Sequence, residues 1–512
     1  MGHHMVTSRE PGVLQQGDPM SPYLFVLAME VLTLILNQFI DQDGGFKYHW
    51  RCEDLRLFQL GFADDLLLFS KADLSSVHLF KRGLLEFADL SGLQVNPQKS
   101  HIILSRSAAV YRDMLLPILG YQEGHLPLWY LGFPLLASRL TIADCKPILQ
   151  KIDDRIRGWD GIMLSFAGRL QLIKSVLTAL QVYWAMAFIL PKSIIREIEK
   201  RLRSFLWKGS SGVGYAKVSW QQACRPVEEG GLGLRDLLAL NRGLMSRHLW
   251  RVIMADRSSI WVDWVIHCRL RNASIWTVSD RTGSWSCRKL GSSPSISETM
   301  IIWTGPRNSF SSAVAYDVFC PPGPKVDWYS LLLGSLKIPQ HRFILWLAIL
   351  GRLSTMDKPW LQHLGIECVL CRDGSPETHS HLFFLCPFAL ECLQRIQMMV
   401  HFHWPYCSWD LAIRASTRWR GRHILTASYR ALLASLVYHI WEELNHRIFQ
   451  QTDRTPALIA RVIVDEIRDL LLVKTCLTLL VREDCIDLGG SLGLSRVNHI
   501  HDPVVVRSVI YY

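Results

Sequence analysis

Hydrophobic and polar positions alternate in a way that changes character along the chain. Residues 23–40 are almost continuously apolar and follow a Gly- and Pro-rich loop, GVLQQGDPMSP, at 12–22. Ser21 suits an N-cap and Pro22 a first helical turn, so a helix is expected there. At 55–70 (LRLFQLGFADDLLLFS) two short apolar runs flank Asp64 and Asp65. This predicts a β-hairpin with the carboxylates at its tip. Strands apolar on both faces predict covering layers and a central position. Residues 74–91 set Val77, Phe80, Leu84 and Phe87 on one helical face, with Gly92 at the C-cap. Leu93, Val95, Ile102 and Ile103 suggest a strand pair broken at Asn96-Pro97, and 130–135 (YLGFPL) suits a tight hairpin. From 141 to 208 the spacing is helical. Ile152, Ile156, Leu164, Leu170, Ile173, Val176, Leu177 and Leu180 keep it, and Pro191 restarts a helix with Ile194, Ile195, Ile198, Leu202 and Phe205 inward.

Further on, EEGGLGLRD at 228–236 lacks the GxGxxG spacing and a preceding strand. It reads as a glycine-rich turn before a helix at 237–253. Residues 256–324 are weakly patterned, with small strands expected around 274–278 and 299–303. An apolar helix is expected at 339–350, and amphipathic helices at 432–449 and 459–480. The pattern predicts an α+β chain, with hairpins and helices in the first part and mainly helices after it.

The chain has 512 residues, enough for two to four domains. Hydrophobic residues make up 49%, which supports real cores and excludes wholesale disorder. A net charge of +11 favours an anionic partner without naming one. The 13 cysteines are odd in number and scattered, which argues for a reducing compartment rather than a disulfide framework. Residues 1–19 have no apolar core of the signal-peptide kind. Residues 23–40 contain Glu30 and Thr33 and are marginal in length for a membrane span, so a buried helix is expected and no membrane partner.

Three clusters carry candidate chemistry. Asp64-Asp65 alone reads as a turn; as hard oxygen donors the pair also suits magnesium and phosphoryl transfer. Cys368, Cys371 and Cys386 with His381 or His379, in CVLCRDGSPETHSHLFFLC, offer four ligands suited to tetrahedral zinc. With no position left open, the role would be structural. On the helices at 141–208, Arg155, Arg157, Arg169, Lys174, Arg196, Lys200, Arg201 and Arg203 form a basic set. Such residues grip phosphates without reading sequence, although Glu197 stands at ion-pair spacing from Arg201. Tryptophans 250, 261, 264, 276, 285 and 303 fit small cores better than base-stacking platforms. His3 and His4 read as solvated, and Arg414–Arg430 with Trp419 as a basic stretch.

The order of these segments resembles the reverse transcriptases of LINE-type, non-long-terminal-repeat retrotransposons of plants. QGDPxSP matches Gln16–Pro22, the (F/Y)ADD hairpin matches Phe62–Asp65, and SGLQVNPQKS (91–100) and YLGFPL (130–135) follow in family order. The resemblance implies magnesium on Asp64 and Asp65, with nucleotide and template contacts from Gln16, Gly17, Asp18, Pro19, Ser21 and, more remotely, Lys99. Tyr130, Leu131, Gly132 and Phe133 would be a primer grip. Arg169, Lys174, Arg196, Lys200, Arg201 and Arg203 would line a thumb holding an RNA template or RNA–DNA duplex.

The same family carries a downstream zinc-binding module reading HLF, which favours His381 as the fourth ligand. The implied layout is a partial palm of antiparallel sheet with helices (1–136), helical thumb (137–255), connector (256–307), small α zinc-binding module (308–397) and helical C-terminal region (398–512). In the family a first metal-binding aspartate precedes the QGDPxSP loop, and residues 1–15 have no room for its strand. The expectation is a reverse transcriptase without activity by itself; the alternative is a non-catalytic zinc protein that binds nucleic acid. Asp484 and Asp487 do not make a ribonuclease H site.

Overall fold

The computed structural model describes residues 19–136, 140–162, 164–209, 215–270, 309–333, 336, 338–358, 366–401, 408–417 and 424–490. Gln16, Gly17, Asp18, the strands expected at 274–278 and 299–303, Trp276, Trp285, Trp303 and Trp419 lie outside them. The chain folds into two units that it enters alternately: residues 1–155, 177–201 and 236–321 in one, and 156–176, 202–235 and 322–512 in the other.

In the first unit the long apolar run forms α1 (Ser21–Asp43). Ser21 is its first helical residue rather than its cap; Met20 holds the cap position without a side-chain hydrogen bond. Burial is confined to the second half, through Leu32, Ile35, Leu36, Phe39 and Ile40, whereas Tyr23, Val26 and Leu27 are exposed. The expectation of a buried helix therefore holds for its C-terminal half and not for its N-terminal half. The helix is long and apolar enough to cross a membrane by length and composition alone.

Helix α2 (Leu74–Ser91) packs on α1 through Leu79, Phe80, Leu84 and Phe87. Asp73 caps its start and Gly92 its end, the latter in the left-handed conformation. Gly83 decides how close the helices come: a Cβ there would stand 2.5 Å from a methyl of Leu36.

The carboxylate hairpin is β1 (Gln59–Phe62) against β2 (Asp65–Leu68), antiparallel, with Phe62 opposite Asp65. Leu66 and Leu68 pack onto the α1–α2 core, but Leu60 and Phe62 are exposed. Among the described residues it is covered on one face, not two. Residues 93–95 do not form a strand; the Asn96 carboxamide accepts from the Gln98 and Lys99 amides and makes a turn. Instead β3 (His101–Ile102) pairs in parallel with β4 (Gln122–Glu123), across α3 (Arg112–Leu119). The third pair is β5 (Leu128–Tyr130) with β6 (Phe133–Leu135), antiparallel. The described strands thus form three separate pairs in place of one antiparallel sheet, and helix predominates.

Helices α4 (Lys146–Arg157), α5 (Phe166–Leu172), α6 (Thr178–Ala187) and α7 (Lys192–Lys208) follow the predicted spacing. Ile152, Ile173, Leu177, Ile194, Ile195, Ile198, Leu202 and Phe205 are all buried. After the short α8 (Trp220–Cys224) the GGLG segment is a tight turn. A Cβ on Gly231 would meet the Arg225 carbonyl oxygen at 2.0 Å, so glycine there is required by backbone contact. Helix α9 (Leu237–Ile253) has the predicted bounds and starts at an Asp236 cap. Its buried Asn241 accepts from the Leu190 amide (2.8 Å) and donates to the carbonyls of Ala185 and Phe188, satisfying the end of α6. The short α10 (Ile260–Trp264) follows, and α11 (Ser312–Phe319) packs against α9.

The second unit adds α12 (Tyr329–Leu332), α13 (Pro339–Ile349), α14 (Pro387–Val400), α15 (Trp409–Thr417), α16 (Ile424–Asn445) and α17 (Pro456–Gly490). The expected amphipathic helix at 432–449 is instead a central one. Leu432, Leu433, Leu436, Val437 and Ile440 are buried on successive faces, because α13, α14 and α17 all pack against it. Arg430, expected in a basic stretch, is buried and donates to the Ser330 carbonyl at 3.1 Å.

Candidate functional site

Asp64 and Asp65 sit at the exposed end of the β1–β2 hairpin. Ala63 beside them takes a positive φ of 49°, which closes the turn in two residues and sets both carboxylates at the strand ends. Tyr130, at the end of β5, lies within the field of Asp65: burial first, and then that carboxylate, push its hydroxyl above the ordinary tyrosine range. The Leu131-Gly132 turn has φ of 49° and 76°. It is braced by Tyr183, whose ring stacks on Phe133 at 4.2 Å and whose hydroxyl donates to the Leu131 carbonyl at 2.5 Å. Sequence reasoning missed Tyr183, since nothing in the α6 pattern ties it to a hairpin 50 residues earlier. Pro19 and Ser21 stand at the start of α1, and Lys99 is exposed in the Asn96 turn.

The basic set divides by environment. Arg196, Lys200 and Arg203 are exposed on α7. Arg201 is held by Asp153 (2.9 Å) and Glu197 (2.8 Å). Arg169 lies over the Phe166 ring and donates to the Phe205 carbonyl; Lys174 donates to the Leu232 carbonyl at 2.5 Å. Both make internal ties.

The strongest constellation is Cys368, Cys371, His381 and Cys386, whose ligand atoms all lie within 4.8 Å of one another. The Cys368 and Cys386 sulfurs are 3.9 Å apart, and Cys371 Sγ is 3.4 Å from His381 Nε2. Zinc–sulfur bonds of about 2.3 Å at tetrahedral angles set sulfurs ~3.8 Å apart, so the donor set fits that ion. Local folding explains the convergence. Arg372 at φ 53° and Gly374 at φ 81° reverse the chain, and the Cys368 amide donates to the Ser375 carbonyl (2.8 Å). A π-helical turn, His381–Leu385, then carries the chain to Cys386 at the start of α14.

Burial pushes the Cys371 thiol up to about 11. Cys386 is shifted below the ordinary thiol range by its hydrogen bond with Cys368. A bound cation overrides both shifts, since a coordinating thiol is deprotonated outright. His379 is not in the cluster. Its ring stacks on Trp409, and its Nδ1 accepts from the Trp409 indole at 3.0 Å.

The knuckle rests on the π-helical turn His446–Gln450 that continues α16. Arg447 donates to the Leu370 carbonyl (3.0 Å) and to Glu443 (2.8 Å), and Glu443 is fully buried. Arg454 supplies the second cation to Glu443 at 2.8 Å. This support was also missed, although the Glu443 and Arg447 spacing of one helical turn is visible in the sequence.

Comparison with known proteins agrees with this geometry. Residues 3–135 match the family described as reverse transcriptase (RNA-dependent DNA polymerase), and residues 310–392 match the one described as zinc-binding in reverse transcriptase. The carboxylate hairpin lies inside the first matched segment, and the Cys/His cluster inside the second. Among relatives, a protein of Arabidopsis thaliana named as a ribonuclease H protein is 35% identical over 158 residues, covering 30% of this chain and 25% of that protein. The transposon TX1 149 kDa protein of Xenopus laevis is 26% identical over 255 residues, covering 48% of this chain and 18% of that protein. An uncharacterized mitochondrial protein of Arabidopsis thaliana is 35% identical over 79 residues, covering 15% of this chain and 50% of that protein. The chain thus spans a quarter or less of the first two relatives. The two matched segments resemble a reverse transcriptase and its zinc-binding module, and one of the relatives is named for a transposon.

Proposed function

We propose that the chain is a palm, thumb and zinc-binding portion of an RNA-directed DNA polymerase, which holds a template–primer duplex and supplies one side of a two-metal site. The carrying observation is the pair Asp64 and Asp65 at an exposed hairpin end, with Tyr130 in the field of Asp65. Their oxygens are the hard donors magnesium takes, and the ions when bound would supply the Lewis-acid chemistry of in-line phosphoryl transfer. The chain's own contributions are positional. The stacked Tyr183–Phe133 pair holds the turn at Leu131-Gly132 against a primer end, and Pro19 and Ser21 continue the QGDPxSP loop toward the nascent pair. Arg196, Lys200 and Arg203 meet duplex phosphates, while Arg169, Lys174 and Arg201 hold the thumb helices together.

Palm, thumb, connector, zinc-binding module and C-terminal region are read as 1–136, 137–255, 256–307, 308–397 and 398–512. In the zinc-binding module Cys368, Cys371, His381 and Cys386 hold one structural zinc and steady a nucleic-acid-binding surface.

A two-metal site needs carboxylates converging from separate strands. Among the described residues no third Asp, Glu, His or Cys joins Asp64 and Asp65 in a group that could hold an ion. On the reading that the chain supplies one side of the site, it is expected to bind primed RNA without extending it. Incubation with primed RNA, deoxynucleotides and magnesium tests this. Extension that disappears in Asp64→Ala would overturn the incomplete-site reading; failure to bind primed RNA would overturn the polymerase reading itself.

A further inference from the structure

A second group of ligand atoms lies in the helical unit, away from the four zinc ligands. His341 on α13, His439 on α16 and Glu466 on α17 bring two ring nitrogens and a carboxylate oxygen within 4.8 Å of one another. The three residues come from helices separated by about 100 and 30 positions in sequence, so only the packing of this unit unites them. Both histidines are buried, at 4% and 5% exposure, and Glu466 is partly open to solvent. We propose that these three residues bind a divalent transition cation of the zinc class, with its fourth position open to water.

The geometry carries this in three ways. His439 Nε2 stands 3.1 Å from Glu466 Oε2, and His341 Nε2 stands 4.0 Å from the same oxygen. The first distance is near the ~3.3 Å separation of two ligand atoms on a tetrahedral zinc ion with bonds of about 2.0 Å. The second is beyond hydrogen-bond reach, so His341 faces the carboxylate without bonding it. Next, the other nitrogen of His439 faces Glu442 at 3.2 Å, and Glu442 is held by Arg454 at 2.9 Å. A ligating histidine ordinarily gives its second ring N–H to a carboxylate in this way. Finally, Glu466 is oriented by the Ser435 hydroxyl at 2.9 Å, and His341 is stacked on Tyr438 at 4.2 Å. Three ligands of the His, His, Glu type leave one coordination position vacant, in contrast to the closed site on the cysteines.

The test is metal stoichiometry of the full-length chain after equilibration with Zn²⁺ and, separately, Co²⁺. Two equivalents are expected by elemental analysis. Cobalt should show thiolate charge transfer from one site and only weak d–d bands from the other. His341→Asn and Glu466→Gln should each remove one equivalent and leave the thiolate band unchanged. Glu442→Gln should weaken the second equivalent about 10–100-fold, as loss of a supporting carboxylate does elsewhere. A single equivalent in the unaltered chain overturns the proposal and leaves His439 as an imidazolium between Glu442 and Glu466. Retention of two equivalents in both His341→Asn and Glu466→Gln overturns it as well, because the second ion then lies elsewhere.

Discussion

Arg447→Ala should loosen the zinc centre from a distance. The side chain of Arg447 is 7% exposed and that of Glu443 is fully buried. Removing one partner of a buried pair costs about 3–5 kcal/mol, chiefly because the other charge is left uncompensated. Here Arg454 still reaches Glu443 with Nε (2.8 Å) and its amide (2.9 Å), which sets the lower end for that term, roughly 3 kcal/mol. The Leu370 carbonyl, at the turn between Cys368 and Cys371, also loses its guanidinium donor, for about 1 kcal/mol more. The sum, about 4 kcal/mol, corresponds to a nearly thousandfold change in an opening equilibrium. Zinc transfer to a chromophoric chelator, under conditions where release follows opening of the knuckle, should accelerate by about 100-fold or more. Arg395→Ala provides the control. It removes an exposed pair with Glu391, 42% and 46% exposed, and should change release less than fivefold. Release in Arg447→Ala within fivefold of the unaltered chain would refute the account, since the knuckle would then be held by its own turn and zinc alone.

Glu377 is fully buried, and burial raises its carboxyl to about 7, so folding favours its protonated form. Its stability contribution is therefore full below about pH 4.3 and is lost as pH rises through 7, by at most ~3 kcal/mol. Glu377→Gln should stabilise at pH 8 and flatten the difference between pH 5 and 8 in denaturant titrations; an unchanged difference would be the wrong result. Replacing Arg196, Lys200 and Arg203 together with Ala should weaken duplex binding and lower its logarithmic salt slope by up to about 2–3, whereas Arg201→Ala, whose guanidinium is already paired, should leave the slope unchanged. Cys371→Ser should abolish zinc at the cysteine site, while His379→Ala should keep it and lose only packing against Trp409. A fragment of residues 308–397 should not fold cooperatively, because Trp346 on α13 donates to the Gly230 carbonyl (2.9 Å) and α14 packs on α17; circular dichroism with and without zinc checks this.

Legibility tracked the range over which each interaction acts. Helix α2 was readable because its buried stripe and both caps lie within one short segment. The β1–β2 hairpin was readable because its turn joins strands only two residues apart. The convergence of Cys368, Cys371, His381 and Cys386 was readable because they fall within 19 consecutive residues. The choice of His381 over His379 needed the family pattern, and geometry supports it: His379 is turned to Trp409. The strand at 93–95 was misread because the Asn96 side chain captures the next amides, a local bond that competes with a ladder. Ser21 was misread as a cap because a cap is set by backbone geometry as well as residue type.

By itself the sequence determined the segments that match the reverse-transcriptase families, the Cys/His cluster and the identity of most helices, since each depends on neighbours in the chain. Tertiary structure alone decided which charged residues are tied to distant parts of the chain. Arg169, Lys174 and Arg201 look like Arg196 and Lys200 in sequence, yet the first three are spent on carbonyls and carboxylates 36, 58 and 48 residues away. It alone made α16 a central helix and gathered His341, His439 and Glu466 from three helices. The physical reason is that burial and pairing belong to the packed set of helices, and residue type limits what a side chain can do without choosing its partner.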